Sequence, residues 1–351
     1  VPKVSAGHDD ADPLLLYLTD LHFSKESSRY RIGDFVGDLL LKLQEVGKLI
    51  KRHKVPLVVI GGDLTEGPMV SLEMGDRVLD ELESWGVPIY VTVGNHDVFG
   101  NQLKTLDSSW LGHVFRRSNV IHQLDKIYVG DVCIWGVHFN TGIEEELADR
   151  EHSTSSSELF YQDDELFDPE GKSTGEYDHK KIAKKLIEVV HAMVVPGGMH
   201  PNARQIDPDD YKTQAQLILS GDYHPGWEDV YERMDLRRFV NPGAFARRTV
   251  SDSDCMRQVR VVLVRYNLDV EFLPITCMKP VEEVFDLKAS KVAKEKEKEL
   301  NSFMQELTTV TTDKVDVRER VVEIAQEQKA PAKIRDNALE RLDRFIAEGA
   351  R

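Results

Sequence analysis

Four short polar clusters stand where apolar runs end. Asp20-Leu21-His22 closes the run Leu14 to Thr19, and Gly61-Gly62-Asp63 closes Leu57 to Ile60. Gly94-Asn95-His96-Asp97 follows Pro88 to Val93, and Gly221-Asp222-Tyr223-His224 follows Gln216 to Ser220. His191 lies inside a further apolar run. Taken singly, each has a plain explanation, since an Asp at a strand end caps a turn and a glycine pair makes one. Taken together they supply carboxylate, amide and imidazole donors at several strand ends, which suits a hard or borderline divalent metal. Thiolates are missing from the set: Cys133, Cys255 and Cys277 form no CxxC pair, which argues against a structural zinc or a disulfide scaffold. The donors suffice for two ions. Two metals about 3.5–4 Å apart can polarise a phosphoryl group and activate a water.

The elements that must position these groups read as an α/β pattern. Leu14 to Thr19, Leu57 to Ile60 and Pro88 to Val93 are buried strands. Val36 to Arg52 and Ser71 to Ser84 are amphipathic helices between them. Strand, helix, strand, helix, strand implies crossover units, whose C-terminal strand edge is where ligands bind. Lys126 to Gly130 and Val132 to His138 resemble a hairpin, Lys180 to Val195 reads as helix then strand, and Asp229 to Pro274 is strand-rich. Two packed sheets with helices outside are expected.

Net charge is −16, which disfavours a broadly basic nucleic-acid surface. Much of the surplus sits in one place: residues 144–178 hold 13 acidic and 2 basic residues, an acidic insertion expected to be a loop. A positively biased site elsewhere therefore remains open. No apolar run is long enough to cross a bilayer, and neither a signal peptide nor a transit segment opens the chain, so a cytoplasmic protein without membrane contact is expected. From Lys288 to Arg351 apolar positions are sparse and charges nearly balance, with helical stripes at Val292, Leu300, Phe303, Leu307 and Val310, at Val317, Val321 and Ile324, and at Ile334, Ala338, Leu342 and Phe345. The expected division is 1–280 for the catalytic domain and 281–351 for a C-terminal helical appendage that could bind a partner.

The order DxH, GD, GNH[ED], a lone His and a GHxH-like motif resembles the calcineurin-like metallophosphoesterases from about Leu14 to Pro274. The resemblance implies a four-layered α/β sandwich, two central mixed β-sheets flanked by helices, around two divalent ions. Manganese is the first choice, with magnesium, iron or zinc as alternatives. It implies Asp20, His22, Asp63 and His224 around the first ion, and Asp63, Asn95, His191 and Asp222 around the second. His96 would be the catalytic acid, with Asp97 beside it as an orienting group. The family usually has His where this chain has Asp222, which implies a shifted metal preference or a weakened second site.

The second motif lacks the extension of the protein phosphatase branch, reading Gly62-Asp63-Leu64-Thr65-Glu66-Gly67. Asn241-Pro242-Gly243-Ala244-Phe245-Ala246-Arg247-Arg248, followed by Ser251-Asp252, resembles a segment of the SbcD-type double-strand-break repair nucleases. That resemblance implies DNA phosphodiester hydrolysis, with Arg247 and Arg248 on the phosphate backbone and the C-terminal helices on an SMC-like ATPase. Those nucleases also carry a capping domain for which this chain leaves little room, so the short form resembles reduced members of the family; a viral member would act in host cytoplasm. The tail could equally pack on its own domain or form a homodimer. A small-molecule phosphodiesterase acting on cyclic nucleotides or nucleotide diphosphates, and a non-catalytic scaffold of the same fold, are the competing readings. His138, His179 and His200 fall outside the motifs and are expected to be structural or surface histidines.

Overall fold

The computed structural model describes residues 9–24, 29–150, 164–167, 173–178, 183–198, 204–309 and 317–349. Two six-stranded mixed sheets organise it. The first holds β1 (Pro13–Leu18), β2 (Val58–Ile60), β3 (Ile89–Val91), β4 (Ile121–Gln123), β13 (Arg260–Arg265) and β14 (Val270–Pro274), in the order β14-β13-β1-β2-β3-β4. Strands β1 to β4 run parallel, and β13 joins β1 antiparallel. The second holds β5 (Lys126–Val129), β6 (Val132–Val137), β9 (Lys185–Ala192), β10 (Leu217–Asp222), β11 (Tyr231–Glu232) and β12 (Arg238–Val240), in the order β11-β12-β10-β9-β6-β5. A separate hairpin pairs β7 (Asp164–Phe167) with β8 (Ser173–Asp178).

Alternation along β1 shows how the layers are built. Leu16 and Leu18 face the helix side, packing with Leu39, Leu43 and Val46 of α1 (Phe35–His53) and Val78 and Leu82 of α2 (Leu72–Glu83). Leu15 and Tyr17 face the other way, into a core with Ile134, Val189 and Leu219 of the second sheet. That sheet's far face packs Val190, Ile218 and Phe239 against Leu147 of a short helix that follows α3 (Trp110–Arg117), namely α4 (Ile143–Asp149). A strand with apolar residues on both faces is buried on both, hence the near-continuous hydrophobic reading of β1. The outcome is the expected four-layered α/β sandwich.

Helix ends follow local chemistry. The Asp34 carboxylate accepts from Gly37 N at 2.9 Å and caps α1, and Lys54 ends it in the left-handed region. Two expectations change. The acidic insertion is not wholly a loop, because α4 and the β7–β8 hairpin lie within it. The helix expected from Lys180 falls partly outside the described residues; from Ala183 the chain is not helical, and Lys184 and Lys185 donate to the Asp131 carbonyl beside β6.

Contacts divide the chain into two units, Val1–Val284 and Phe285–Arg351. In the first, α5 (Asp252–Met256) and the one-turn α6 (Val281–Val284) follow the site loops. The second contains α7 (Leu287–Thr309), α8 (Val317–Glu327) and α9 (Ala332–Gly349). Val321 and Ile324 of α8 bury against Ala338 and Leu342 of α9, with Leu300 of α7 at the edge. Stripes that suggested a partner therefore serve in part as the unit's own core, while Val292 stays exposed. Among the described residues no helix is long and apolar enough to cross a membrane.

Candidate active site

The C-terminal ends of β1, β2, β3, β9 and β10 converge on one point. Asp20, His22, Asp63 and His224 bring ligand atoms within 4.8 Å of one another, the first three being buried. His22 Nε2 lies 3.0 Å from His224 Nε2, 3.6 Å from Asp63 Oδ2 and 3.9 Å from Asp20 Oδ1. On the other side of Asp63, His191 Nε2 lies 3.4 Å from Asp63 Oδ2 and 3.2 Å from Asn95 Oδ1. Asp63 thus stands between two donor groups.

Backbone strain marks the same residues. Asp20, His22, Asp63 and Asp222 all have positive φ, at 55°, 48°, 48° and 76°. Such conformations cost of order 1–3 kcal/mol each and persist where the surroundings over-determine them. Here loop hydrogen bonds do so: Asp20 N donates to Gly62 O and His22 N to Asp63 O, tying the first two motifs together. Gly62 has to be glycine, because its φ is 102° and a Cβ would lie 2.2 Å from His191 Nδ1. A Cβ on Gly94 would lie 2.1 Å from Asp63 Oδ1.

The donor set fits a bound cation. A carbonyl only accepts, so the 2.8 Å contact of His191 Nδ1 with Gly61 O places the proton on Nδ1 and turns the Nε2 side to Asp63 and Asn95. Glu66 Oε2 lies 2.9 Å from His22 Nδ1, and Arg248 Nη1 lies 3.4 Å from the same nitrogen. Such outer partners are what metal-ligating imidazoles use to fix their tautomer. Asp63 Oδ2 is buried with no hydrogen-bond donor, an acceptor that a cation would satisfy. The imidazoles and carboxylates also act on one another. Burial would lower the pKa of His22, but the Glu66 hydrogen bond and the charges of Asp63 and Asp20 raise it. Burial likewise opposes, and the Asp63 charge outweighs, in raising that of His191.

His96 sits at the rim. Its Nδ1 meets the Glu66 carbonyl at 2.9 Å, and its Nε2 lies 4.0 Å from Asp63 Oδ2. Asp97 is buried; its oxygens accept from Gly94 N at 2.9 Å and from Thr65 N at 3.0 Å. It clamps the second and third motif loops together and makes no hydrogen bond to His96. Burial and the neighbouring Asp63 charge push its pKa up to about 6.

Asp222 is not among the four residues whose ligand atoms gather within 4.8 Å. Its backbone N–H supports Asp20, but its Oδ2 is bound to Arg204 Nη2 at 2.5 Å. The two arginines of the NPG segment part company. Arg248 reaches the site, gripping Glu66 Oε1 and lying 3.4 Å from His22 Nδ1. Arg247 is buried behind it and donates to Lys279 O at 2.6 Å. The segment itself is pinned under the metal-binding loops by Ala244 N to His224 O, Phe245 N to Thr19 O and Ala246 N to Asp20 O. His138 is structural: its Nδ1 accepts from Val93 N at 3.0 Å. His179 and His200 lie outside the described residues. Glu66 and Arg204 were missed by sequence reasoning. Glu66 follows Asp63 by three positions in one loop, a usable signal; Arg204 has none.

A two-sheet sandwich with carboxylates and imidazoles gathered at its strand ends defines a metal-dependent phosphoesterase. Residues 14–226 match the model of the calcineurin-like phosphoesterases, and the chain belongs to that family. Among solved structures it is similar to a dimetal phosphatase from Danio rerio, at 13% identity and a TM-score of 0.42 over 76% of this chain and 100% of that one. It is also similar to an archaeal phosphodiesterase, at 14% identity and a TM-score of 0.34 over 74% of this chain and 98% of that one. Comparison with curated proteins found none that matches.

Proposed function

We propose that the protein hydrolyses DNA phosphodiester bonds as the nuclease subunit of a repair or recombination complex, with its C-terminal helices meeting an SMC-like ATPase. The observation that carries the reading is Arg248. It comes from the NPG segment and lies beside the metal-ligand cluster, where a guanidinium fork suits a phosphate oxygen.

Asp20, His22, Asp63 and His224 would hold one divalent ion, manganese first, and Asp63, Asn95 and His191 the second. When bound, the ions supply Lewis-acid polarisation of the phosphoryl group. His96 Nδ1–H is committed to the Glu66 carbonyl, so Nε2 is the atom that can hand a proton to the leaving oxygen. Glu66 orients His22 through its carboxylate and His96 through its carbonyl. Arg248, holding that carboxylate, couples phosphate binding to the same support.

One observation favours a second reading, a small phosphodiester. Glu144, a partner of Arg204 beside the site, also lines an open pocket of about 840 Å³ whose walls carry Glu145, Asp207, Asp209, Asp210 and Asp235. Such a surface repels an extended polyanion. The deciding experiment compares single- and double-stranded DNA with a chromogenic phosphodiester in added manganese. DNA cleavage that disappears in Asp63→Ala supports the nuclease; turnover of the chromogenic ester alone supports the small substrate.

A further inference from the structure

Where the family usually presents an imidazole, this chain presents Asp222, and one oxygen of that carboxylate is taken by Arg204. Arg204 forks between two acids, with Nη2 2.5 Å from Asp222 Oδ2 and Nε 3.2 Å from Glu144 Oε1. Its guanidinium also lies over the Phe139 ring at 4.8 Å, and Phe139 stands edge-on to His191 at 6.4 Å. The pair is a constructed one. Glu144 is 2% exposed and cannot move far, since Oε1 also accepts from Met193 N at 3.2 Å. Asp222 is fixed from the other side by its backbone N–H on Asp20. Asp63, Asn95 and His191 are left as three convergent donors, while Oδ2 of the fourth is held by a guanidinium, a group that only donates.

We infer that Arg204 withholds Asp222 from the second metal position, making the two ion sites unequal: one tight and permanently filled, the other weak and filled only at high free metal. The inference rests on the metal-dependent reading above. An ion entering the second position has to break a charge-assisted hydrogen bond, or do without its fourth protein donor. Arg204 is a positioning residue in this scheme, acting on the metal through Asp222. Loss of such an outer contact changes metal affinity by roughly ten- to a hundredfold, and here the change is toward tighter binding, because the contact competes with the ion.

The test is manganese titration by calorimetry, with ICP-MS stoichiometry, on metal-stripped full-length protein and two variants. Arg204→Gln strands Glu144 in a buried site, so Arg204→Gln/Glu144→Gln, which removes the stranded charge, is measured beside it, and thermal melting reports folding. Expected is a two-step isotherm for the wild type and a second step tightened about tenfold or more in the variants. Asp222→Ala should leave the first step and lose the tightening when added to the double variant. Two equal tight sites in the wild type, or a second step unmoved in the folded double variant, would overturn the inference while leaving the metal reading intact. Absence of any binding step would overturn that reading as well.

Discussion

His22 Nδ1 lies 2.9 Å from Glu66 Oε2, and Arg248 grips the other oxygen of the same carboxylate. A buried imidazole that would offer Nε2 to a cation thus has a carboxylate from outside the ligand set at its other nitrogen. Removing the support while keeping its shape should expose what it does. Glu66→Gln is expected to fold normally and to weaken manganese affinity by about 10–100-fold. Calorimetry showing wild-type affinity in a folded variant would remove Glu66 from the metal's support.

Asp63 and His96 should separate binding from chemistry. Asp63 stands within 3.6 Å of both His22 and His191, so Asp63→Ala should lose both ions and nearly all turnover. His96→Ala should keep its metal and lose about 10²–10⁴-fold in rate. Metal analysis of the two variants beside their rates checks the assignment, and loss of metal in His96→Ala would make that histidine a ligand.

The sandwich was legible because β1, β2 and β10 are buried on both faces and each ends in a polar loop. Leu14 to Leu18 cannot be anything but core, and Asp20 and His22 follow at once. What escaped is what depends on contacts distant in sequence. Arg247 and Arg248 are adjacent and chemically alike, yet one packs on Lys279 and the other on Glu66, a distinction made by segments more than 30 residues away. Arg204 carries no local signal, because its meaning comes from Asp222 and Glu144. The tail stripes leave partner binding, packing within the chain and dimerisation all open, and helices α8 and α9 use part of them against one another.

Glu45 ties α1 to the chain after β14. Its carboxylate accepts from Thr276 N at 2.9 Å, Cys277 N at 2.8 Å and Thr276 Oγ1 at 2.6 Å. Burial works against the charge, but these bonds prevail and hold its pKa down to about 2, against about 4.3 in an unfolded chain. A depressed carboxylate stabilises above its unfolded pKa, and that stability fades as pH falls from about 5 toward 2. Glu45→Ala should cost about 1–2 kcal/mol at pH 7. The gap in Tm from wild type should narrow as melts are taken down to pH 3; a constant gap would mean the charge is irrelevant.

The helical unit buries its own small cluster, Val321, Ile324, Ala325, Ala338 and Leu342, so it has a core of its own. Deleting Lys288 to Arg351 is expected to leave hydrolysis of a small phosphodiester largely intact. Any association with an SMC-like ATPase should be lost. Phosphodiesterase rate, thermal melting and co-purification of the truncated and full-length proteins measure this. Unfolding of the truncated chain would assign the helices to the catalytic fold instead.

Arg247 and Arg248 offer the sharpest contrast, because one substitution applied to neighbours should fail in different ways. Arg247 is 6% exposed, donates to Lys279 O and accepts, through its carbonyl, from Arg31 Nη1 at 2.6 Å. Arg247→Gln removes a buried donor and strands that carbonyl partner, an effect of about 1–3 kcal/mol on stability. Its KM should stay near that of the wild type. Arg248 is partly exposed beside His22, so Arg248→Gln should melt within a few degrees of the wild type. It should instead lose the fork that suits a phosphate oxygen, raising KM for a phosphodiester about tenfold or more, with only partial recovery in Arg248→Lys, whose single ammonium lacks the bidentate geometry. Steady-state kinetics and melting curves of the three variants decide the matter. Equal destabilisation without a KM effect at Arg248 would make both arginines structural, and would remove the residue on which the DNA reading leans.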